Sequence, residues 1–349
     1  EDSKNNKVLE TIQNKEENSK IICVGGGFDP VHAGHLELIK EAAKIGKVVI
    51  RKKGILAPIL EFSTLPYREL ARAHNCGLCY TEMIHTNHIA SLSANELFDE
   101  EILRSKKEDS PTSCQLVGDF TNKKTTLEAV SMIDKHKYFD IIDLNFGCPS
   151  MRIIFGKSGS ALLKDITKVT PIIKEMCETT TKPITIKTRL GFSKNEIDFI
   201  SSAFFKTGIS ALAIHARCAK ESYATPSKVS EVRKIKKTSP IPILYNGDVT
   251  EDNYNDYLDF DGVMVARGAL GNPGIFDLIN GNKEKITKEE KFSALHEYIR
   301  LWEENPTSFP KFKVSIIPFI KGAPKSSVLR DKISKSKSIE EIKLILEKE

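Results

Sequence analysis

Eight short apolar runs, amphipathic helices between them, and a polar residue near the end of almost every run predict an α/β fold. The expected architecture is a (β/α)8 TIM barrel, with a small helical domain after it and a βαβ-like extension before it. The runs lie at 55–60, 79–83, 112–118, 141–145, 184–189, 211–215, 242–246 and 262–266. Val169, Ile172, Ile173 and Met176 stand at i, i+3, i+4 and i+7, one face of a helix. Ile197, Ile200 and Phe204 repeat the pattern and end at Thr207-Gly208, and Val229, Val232 and Ile235 form a third stripe. An open, doubly wound sheet is the competing arrangement of the same alternation.

Along the chain, residues 1–20 are polar and without periodicity, and are expected to form a disordered tail. Residues 21–54 hold an apolar run at 21–24, Gly25-Gly26-Gly27, a helical stretch at 36–44, a second run at 48–50 and the linker Arg51-Lys52-Lys53-Gly54. The barrel is expected over 55–284. From about 285 the alternation stops. Helices at 288–303 and 338–347 flank a segment interrupted by Pro306, Pro310, Pro318 and Pro324, a helical domain over 285–349.

Composition excludes several classes. No window of the 349 residues approaches eighteen consecutive apolar positions, so no transmembrane helix and no membrane role is expected. Seven cysteines in a chain this long do not make a disulfide scaffold; they point to a reducing, cytoplasmic setting. Fifty-two basic against forty-seven acidic residues give only +5. The distribution says more: Lys311, Lys313, Lys321, Lys325, Arg330, Lys332, Lys335 and Lys337 face a single acid, Asp331. Such a bias suits a polyanion or a solvated helix face.

In a barrel, functional groups gather at the C-terminal ends of the strands. The runs end in, or carry, Ala57-Pro58-Ile59, Thr81-Glu82, Gln115, Asn145-Phe146-Gly147-Cys148-Pro149, Lys187 and Arg189, His215-Ala216-Arg217, Asn246-Gly247-Asp248, and Ala266-Arg267-Gly268. Polar groups at buried positions need partners, and a polar ligand would serve.

From about Ile55 to the C-terminus the chain resembles the tRNA-dihydrouridine synthase family, flavin enzymes with a barrel and a small helical domain. Six stretches carry the resemblance in order. They are Ala-Pro-Ile-Leu-Glu-Phe-Ser-Thr-Leu-Pro-Tyr-Arg at 57–68, Asp-Leu-Asn-Phe-Gly-Cys-Pro-Ser at 143–150, Lys-Ser-Gly-Ser-Ala-Leu-Leu at 157–163, Ile-Lys-Thr-Arg-Leu-Gly at 186–191, Tyr-Asn-Gly-Asp-Val at 245–249, and Ala-Arg-Gly-Ala-Leu-Gly-Asn-Pro at 266–273. The resemblance implies FMN at the barrel mouth and NADPH as co-substrate. Ala57, Pro58 and Ile59 would line the isoalloxazine, Gln115 its polar edge and Lys187 its N1–O2 side, with His215 a further contact. Asn246, Gly247, Asp248, Ala266 and Arg267 would surround the ribityl phosphate. Cys148 would be the proton donor, and Asn145 would hold the base. The helical domain, with Lys321, Lys325 and Arg330, would bind tRNA; no metal and no obligate protein partner are implied. A structural thiol is the alternative for Cys148, an ion-paired lysine for Lys187 and a core histidine for His215. Phe309, Phe312 and Phe319 are expected in the small domain's own core.

Two departures stand out: Ala216 and Ala266 occupy positions where the family has glycine. Cys76-Gly77-Leu78-Cys79 is a lone pair without a second at zinc-ribbon spacing. In the extension, Gly26-Gly27-Phe28-Asp29-Pro30-Val31-His32-Ala33-Gly34-His35 resembles the H-x-G-H motif of nucleotidyltransferases, in which paired histidines bind a triphosphate. The extension at 21–54 is only some thirty residues long, so a remnant or fused fragment is expected. Nucleotidyl transfer through His32 and His35 is the alternative function, with a small-molecule flavin reductase and a non-catalytic RNA-binding protein behind it.

Overall fold

The computed structural model describes residues 21–22, 47–48, 53–322 and 326–347. The chain divides into two compact units, Glu1–Arg51 and Lys52–Glu349. In the first, β1 (Ile21–Ile22) and β2 (Lys47–Val48) pair in parallel, Ile21 opposite Lys47 and Ile22 opposite Val48. The expected tail, the helix expected over 36–44, and His32 and His35 lie outside the described residues.

The second unit is built on a closed ring of eight parallel strands. These are β3 (Gly54–Leu56), β4 (Leu78–His85), β5 (Thr112–Val117), β6 (Ile141–Phe146), β7 (Ile184–Arg189), β8 (Ala211–His215), β9 (Ile243–Asn246) and β10 (Gly262–Val265). They pair in chain order, and β10 closes on β3 with Met264 opposite Ile55. The expected (β/α)8 barrel is thus observed. Helices alternate with the strands: α1 (Leu65–Ala73), α2 (Thr86–Ser91), α3 (Ala94–Asp99), α4 (Lys123–Asp134), α5 (Met151–Phe155), α6 (Thr170–Thr179), α7 (Ile197–Phe205), α8 (Val229–Thr238) and α9 (Ile275–Ile279). The predicted stripes of α6, α7 and α8 bury Ile173 and Met176, Ile200 and Phe204, and Val232 and Ile235.

The first strand was expected to reach Leu60 but ends at Leu56. Pro58 has no N–H to give a ladder. Beyond it the chain folds back: the carbonyl of Ile59 accepts from the N–H of Phe62 (3.1 Å) and Ser63 (2.9 Å), and Ser63 Oγ donates to the carbonyl of Ala57 at 2.8 Å. β4 carries an irregularity: Tyr80 pairs with Ser113 but Met83 with Gln115, so Thr81 and Glu82 form a bulge.

Successive side chains of a strand face opposite ways. Ile55, Ala57, Leu78, Tyr80, Ala213, Leu244 and Met264 fill the barrel's inside. Leu56, Ile142, Leu144, Ile186, Leu212, Ile214 and Val263 belong to the larger core between strands and helices. That core continues into the C-terminal helices α10 (Lys288–Glu304), α11 (Phe309–Ile316), α12 (Ser326–Lys335) and α13 (Ile339–Leu346). The Pro-interrupted segment is therefore largely helical, because Pro310 sits in the first turn of α11, where its missing N–H costs nothing. An aromatic cluster welds α10 and α11 to α1: Tyr67 meets Tyr298 edge-on at 5.4 Å, and Trp302 stacks on Phe312 at 4.2 Å. Phe312 and Phe319 are buried and Phe309 packs against the same core, as the sequence predicts. No helix among the described residues is long and apolar enough to cross a membrane.

Gly271 lies directly against the C-terminal segment at Pro318. Its φ is 69°, and a Cβ there would lie 2.4 Å from the carbonyl carbon of Pro318. Gly271→Ala is expected to lower stability by about 1–3 kcal/mol through strain and displacement, read from the urea unfolding midpoint. An unchanged midpoint would contradict the packing described.

Candidate functional site

Strand alternation sets the site. The inward positions at the C-terminal half of the ring are Gln115 on β5, Asp143 and Asn145 on β6, Thr185, Lys187 and Arg189 on β7, His215 on β8 and Asn246 on β9. In register, Gln115 lies opposite Asp143, Asn145 opposite Lys187, and Arg189, His215 and Asn246 form one row.

Asparagine 145 organises the loop that carries Cys148. Its Oδ1 accepts from the N–H of Gly147 (3.0 Å) and of Cys148 (2.9 Å), while its Nδ2 donates to Gln115 Oε1 at 2.9 Å. Gln115 Nε2 donates to Asp143 Oδ2 at 2.8 Å, and Thr185 Oγ1 donates to Asp143 Oδ1 at 2.6 Å. Arg189 Nε grips the carbonyl of Gly147 at 2.8 Å, and its Nη1 the carbonyl of Cys218 at 3.0 Å. The carbonyl of Cys148 accepts from Ser160 N–H at 3.1 Å. Gly159 backs the cysteine: with φ 59°, a Cβ there would come within 2.9 Å of the Cys148 carbonyl oxygen. The thiol-bearing residue is itself half-buried, on a loop held from several sides.

Cations gather on the neighbouring strands. Lys187 makes no ion pair or hydrogen bond among the described residues, and burial, with Arg189 nearby, brings it down to about 8. His215 is 7% exposed and its Nδ1 has no partner. Burial first, then the charges of Lys187, Arg189, Arg217 and Arg267, push it down to about 2, so it stays neutral. Buried Arg217 pairs with Asp248 through Nη1 at 3.0 Å. Arg267 reaches the same carboxylate at 3.1 Å and lies 4.2 Å over the ring of exposed Tyr223. Asp248, expected beside a phosphate, thus bridges two arginines. Asn246 Nδ2 donates to the Met264 carbonyl at 2.8 Å, and Gly247 is buried behind it. Ala57 is buried, Pro58 and Ile59 half-buried. Ala216 is fully buried, 3.6 Å from the position of a Cβ on Gly247, so its methyl packs inward; Ala266 is half-buried.

The ring therefore gathers Gln115, Asn145, Cys148, Lys187, His215 and Asn246. Arg189 and Arg217, noted at strand ends but given no role, and Asp143 also belong to the site; strand alternation points to two of them, since Asp143 lies two before Asn145 and Arg189 two after Lys187. In the basic stretch, Lys321 and Arg330 are exposed, and Lys325 lies outside the described residues. Lys311 pairs with Glu82 (3.5 Å) and Glu101 (2.7 Å), and Lys313 donates to the carbonyls of Ser334 (2.8 Å) and Ser336 (3.1 Å). Cys76 and Cys79 are buried with their sulfurs 3.7 Å apart. Among the described residues no cluster of three or more metal-binding side chains occurs.

Fold and mouth together define a (β/α)8-barrel enzyme whose strand ends hold a thiol on a loop beside Lys187 and Arg189. The family model described as dihydrouridine synthase matches residues 55–348, and the chain belongs to that family of oxidoreductases. A cytidylyltransferase-like model matches residues 23–52. A probable tRNA-dihydrouridine synthase from Aquifex aeolicus is 29% identical over 308 residues, covering 83% of this chain and 94% of its own. One from Rickettsia conorii is 30% identical over 271 residues, covering 75% and 79%. Among solved structures, an old yellow enzyme homologue from Zymomonas mobilis aligns over 68% of this chain and 91% of its own, at 11% identity and TM-score 0.45.

Because His215 is held neutral, its folded-state value lies below the usual 6.5. The unfolded chain binds that proton more readily, so the stability His215 contributes is complete above about pH 6.5 and declines as pH falls toward 2. His215→Gln is expected to flatten the acid loss of stability between pH 6.5 and 4 relative to wild type, measured by urea midpoints across pH. Parallel curves would contradict the assignment.

Proposed function

We propose that the protein is an FMN-dependent tRNA-dihydrouridine synthase that reduces the C5–C6 bond of specific uridines in tRNA, with NADPH as electron donor. A reducing, cytoplasmic setting is part of the same proposal and rests on the sparse cysteines of the sequence. The observation that carries the reading is Cys148, on a mouth loop held by Asn145 and Arg189, with an unpaired Lys187 on the adjacent strand and a neutral His215 with an open nitrogen. Those groups suit a polar, anionic cofactor, so the residues fit FMN. Bound there, FMN would supply the two electrons that reduce the pyrimidine ring.

The chain's own groups do the rest. Cys148 donates the proton to C5 from its thiol. Asn145 has its amide already committed to the loop and to Gln115, so it fixes the cysteine and leaves only a remaining donor or acceptor for the base. Lys187 stays cationic below about pH 8 and places a fixed charge where anionic character would otherwise be unscreened. Ala57, Pro58 and Ile59 offer an apolar shelf for a flat ring, with Gln115 at its polar edge. Asn246, Gly247, Asp248, Ala266 and Arg267 frame the phosphate end, with the Arg217–Asp248–Arg267 bridge holding the Arg267 guanidinium in place.

The target uridine has to leave its stack to reach a recessed mouth. Phe155 is 78% exposed on α5, just after the Cys148 loop, with exposed Arg152 and Lys157 beside it. Together with Lys321, Lys325 and Arg330 these supply cations and a stacking face for RNA.

Cys148→Ala is expected to retain flavin but to lose at least about a hundredfold in dihydrouridine formation on unmodified tRNA, within the range of general-acid contributions. Unchanged formation would remove Cys148 as the acid. Lys321→Glu combined with Arg330→Glu is expected to weaken tRNA binding at least about tenfold while NADPH oxidation without tRNA changes little. Equal affinity in a filter-binding titration would take the helical domain out of the interface.

A further inference from the structure

We propose that Asp143 is a positioning residue that orients the Cys148 loop through a hydrogen-bond relay of fixed polarity, running from Asp143 through Gln115 and Asn145 to the backbone of Gly147 and Cys148. Its catalytic meaning rests on the role of Cys148 given above; the relay itself belongs to the protein chain alone.

Both ends of the relay are chemically committed. At the loop end stand two backbone N–H groups, Gly147 and Cys148, which can only donate, so Asn145 must turn its Oδ1 to them. Its Nδ2 then faces Gln115 Oε1, and Gln115 Nε2 faces Asp143. At the other end an ionised carboxylate can only accept. Asp143, Gln115 and Asn145 are 0%, 1% and 6% exposed. At that depth water cannot repair a mismatch, and a reversed amide would set two donors or two acceptors face to face.

The carboxylate is there despite a cost. Burial pushes Asp143 up to about 6, with the Thr185 and Gln115 hydrogen bonds and the charge of Lys187 pulling the other way. The titratable groups that sense it from neighbouring strands are Tyr80 on β4, Cys114 on β5 and Lys187 on β7. An apolar residue would fill the space without that cost. What it would not do is present an acceptor to Gln115, and through Gln115 set the sense of Asn145.

The polarity can be swapped as a unit. Gln115→Glu alone puts a second carboxylate against Asp143 and is expected to loosen the loop at pH 8. Adding Asp143→Asn restores the order: the new amide donates to the carboxylate at position 115, which accepts from Asn145 on its other side, and Thr185 still finds an acceptor. The readout is amide hydrogen exchange of Gly147 and Cys148 in flavin-free protein at pH 8. Asp143→Leu and Gln115→Glu are each expected to speed exchange about tenfold or more, and Gln115→Glu with Asp143→Asn to return it to within about threefold of wild type. Wild-type exchange in Asp143→Leu, or a double variant that exchanges as fast as Gln115→Glu alone, would overturn the relay. If Asp143→Leu does not fold, the comparison of Gln115→Glu with the double variant decides by itself. Failure of wild-type protein to form dihydrouridine would sink the proposed function and leave these exchange rates standing, so the two readings fail separately.

Discussion

The structure depends on one constraint: a closed ring of parallel strands gives every second side chain an interior address. Deep in the ring those addresses are apolar, filled by Ile55, Leu78, Leu244 and Met264. Toward the C-terminal ends they are polar, and there each group has to find a partner or wait for a ligand. Asp143, Gln115 and Asn145 satisfy one another. Lys187 and His215 Nδ1 do not. The division between paired and unpaired groups separates the scaffold of the site from the part that faces a guest.

The same division carries an energetic argument. Burial first, and then the charges of Lys187, Arg189, Arg217 and Arg267, lower His215 and keep it neutral. Clustered like charge is unfavourable in a low-dielectric mouth, and Asp248 neutralises only part of it. An anionic ligand would relieve that repulsion. The C-terminal helices contribute from outside the ring. Lys311 joins Glu82 and Glu101, and the Tyr67–Tyr298 cluster packs α10 against α1, so the helical part belongs to the same compact unit.

Much of this was legible in the sequence because it is periodic. The runs at 184–189 and 211–215 coincide with β7 and β8, and the stripes of α6, α7 and α8 bury the faces their spacing marks. The ring's polar ends were legible for the same reason. What escaped is what tertiary contact decides. The end of β3 at Leu56 follows from a turn closed by Ser63, and the bulge at Thr81 and Glu82 from pairing with β5. No local pattern says that Asp248 bridges two arginines, that Lys311 belongs to Glu82, or that a carboxylate two residues before Asn145 sets the direction of its amide. Motif resemblance located Cys148; only the fold shows how its loop is held.

A mouth that takes up flavin and is reduced by NADPH, as proposed above, has a visible signature. It is read from the absorption spectrum of the purified protein after incubation with FMN and desalting, followed by anaerobic addition of NADPH. Stoichiometric retained flavin absorbance that bleaches with NADPH and returns when unmodified tRNA is added is expected. Protein that emerges from desalting without flavin, in native fold, would contradict it.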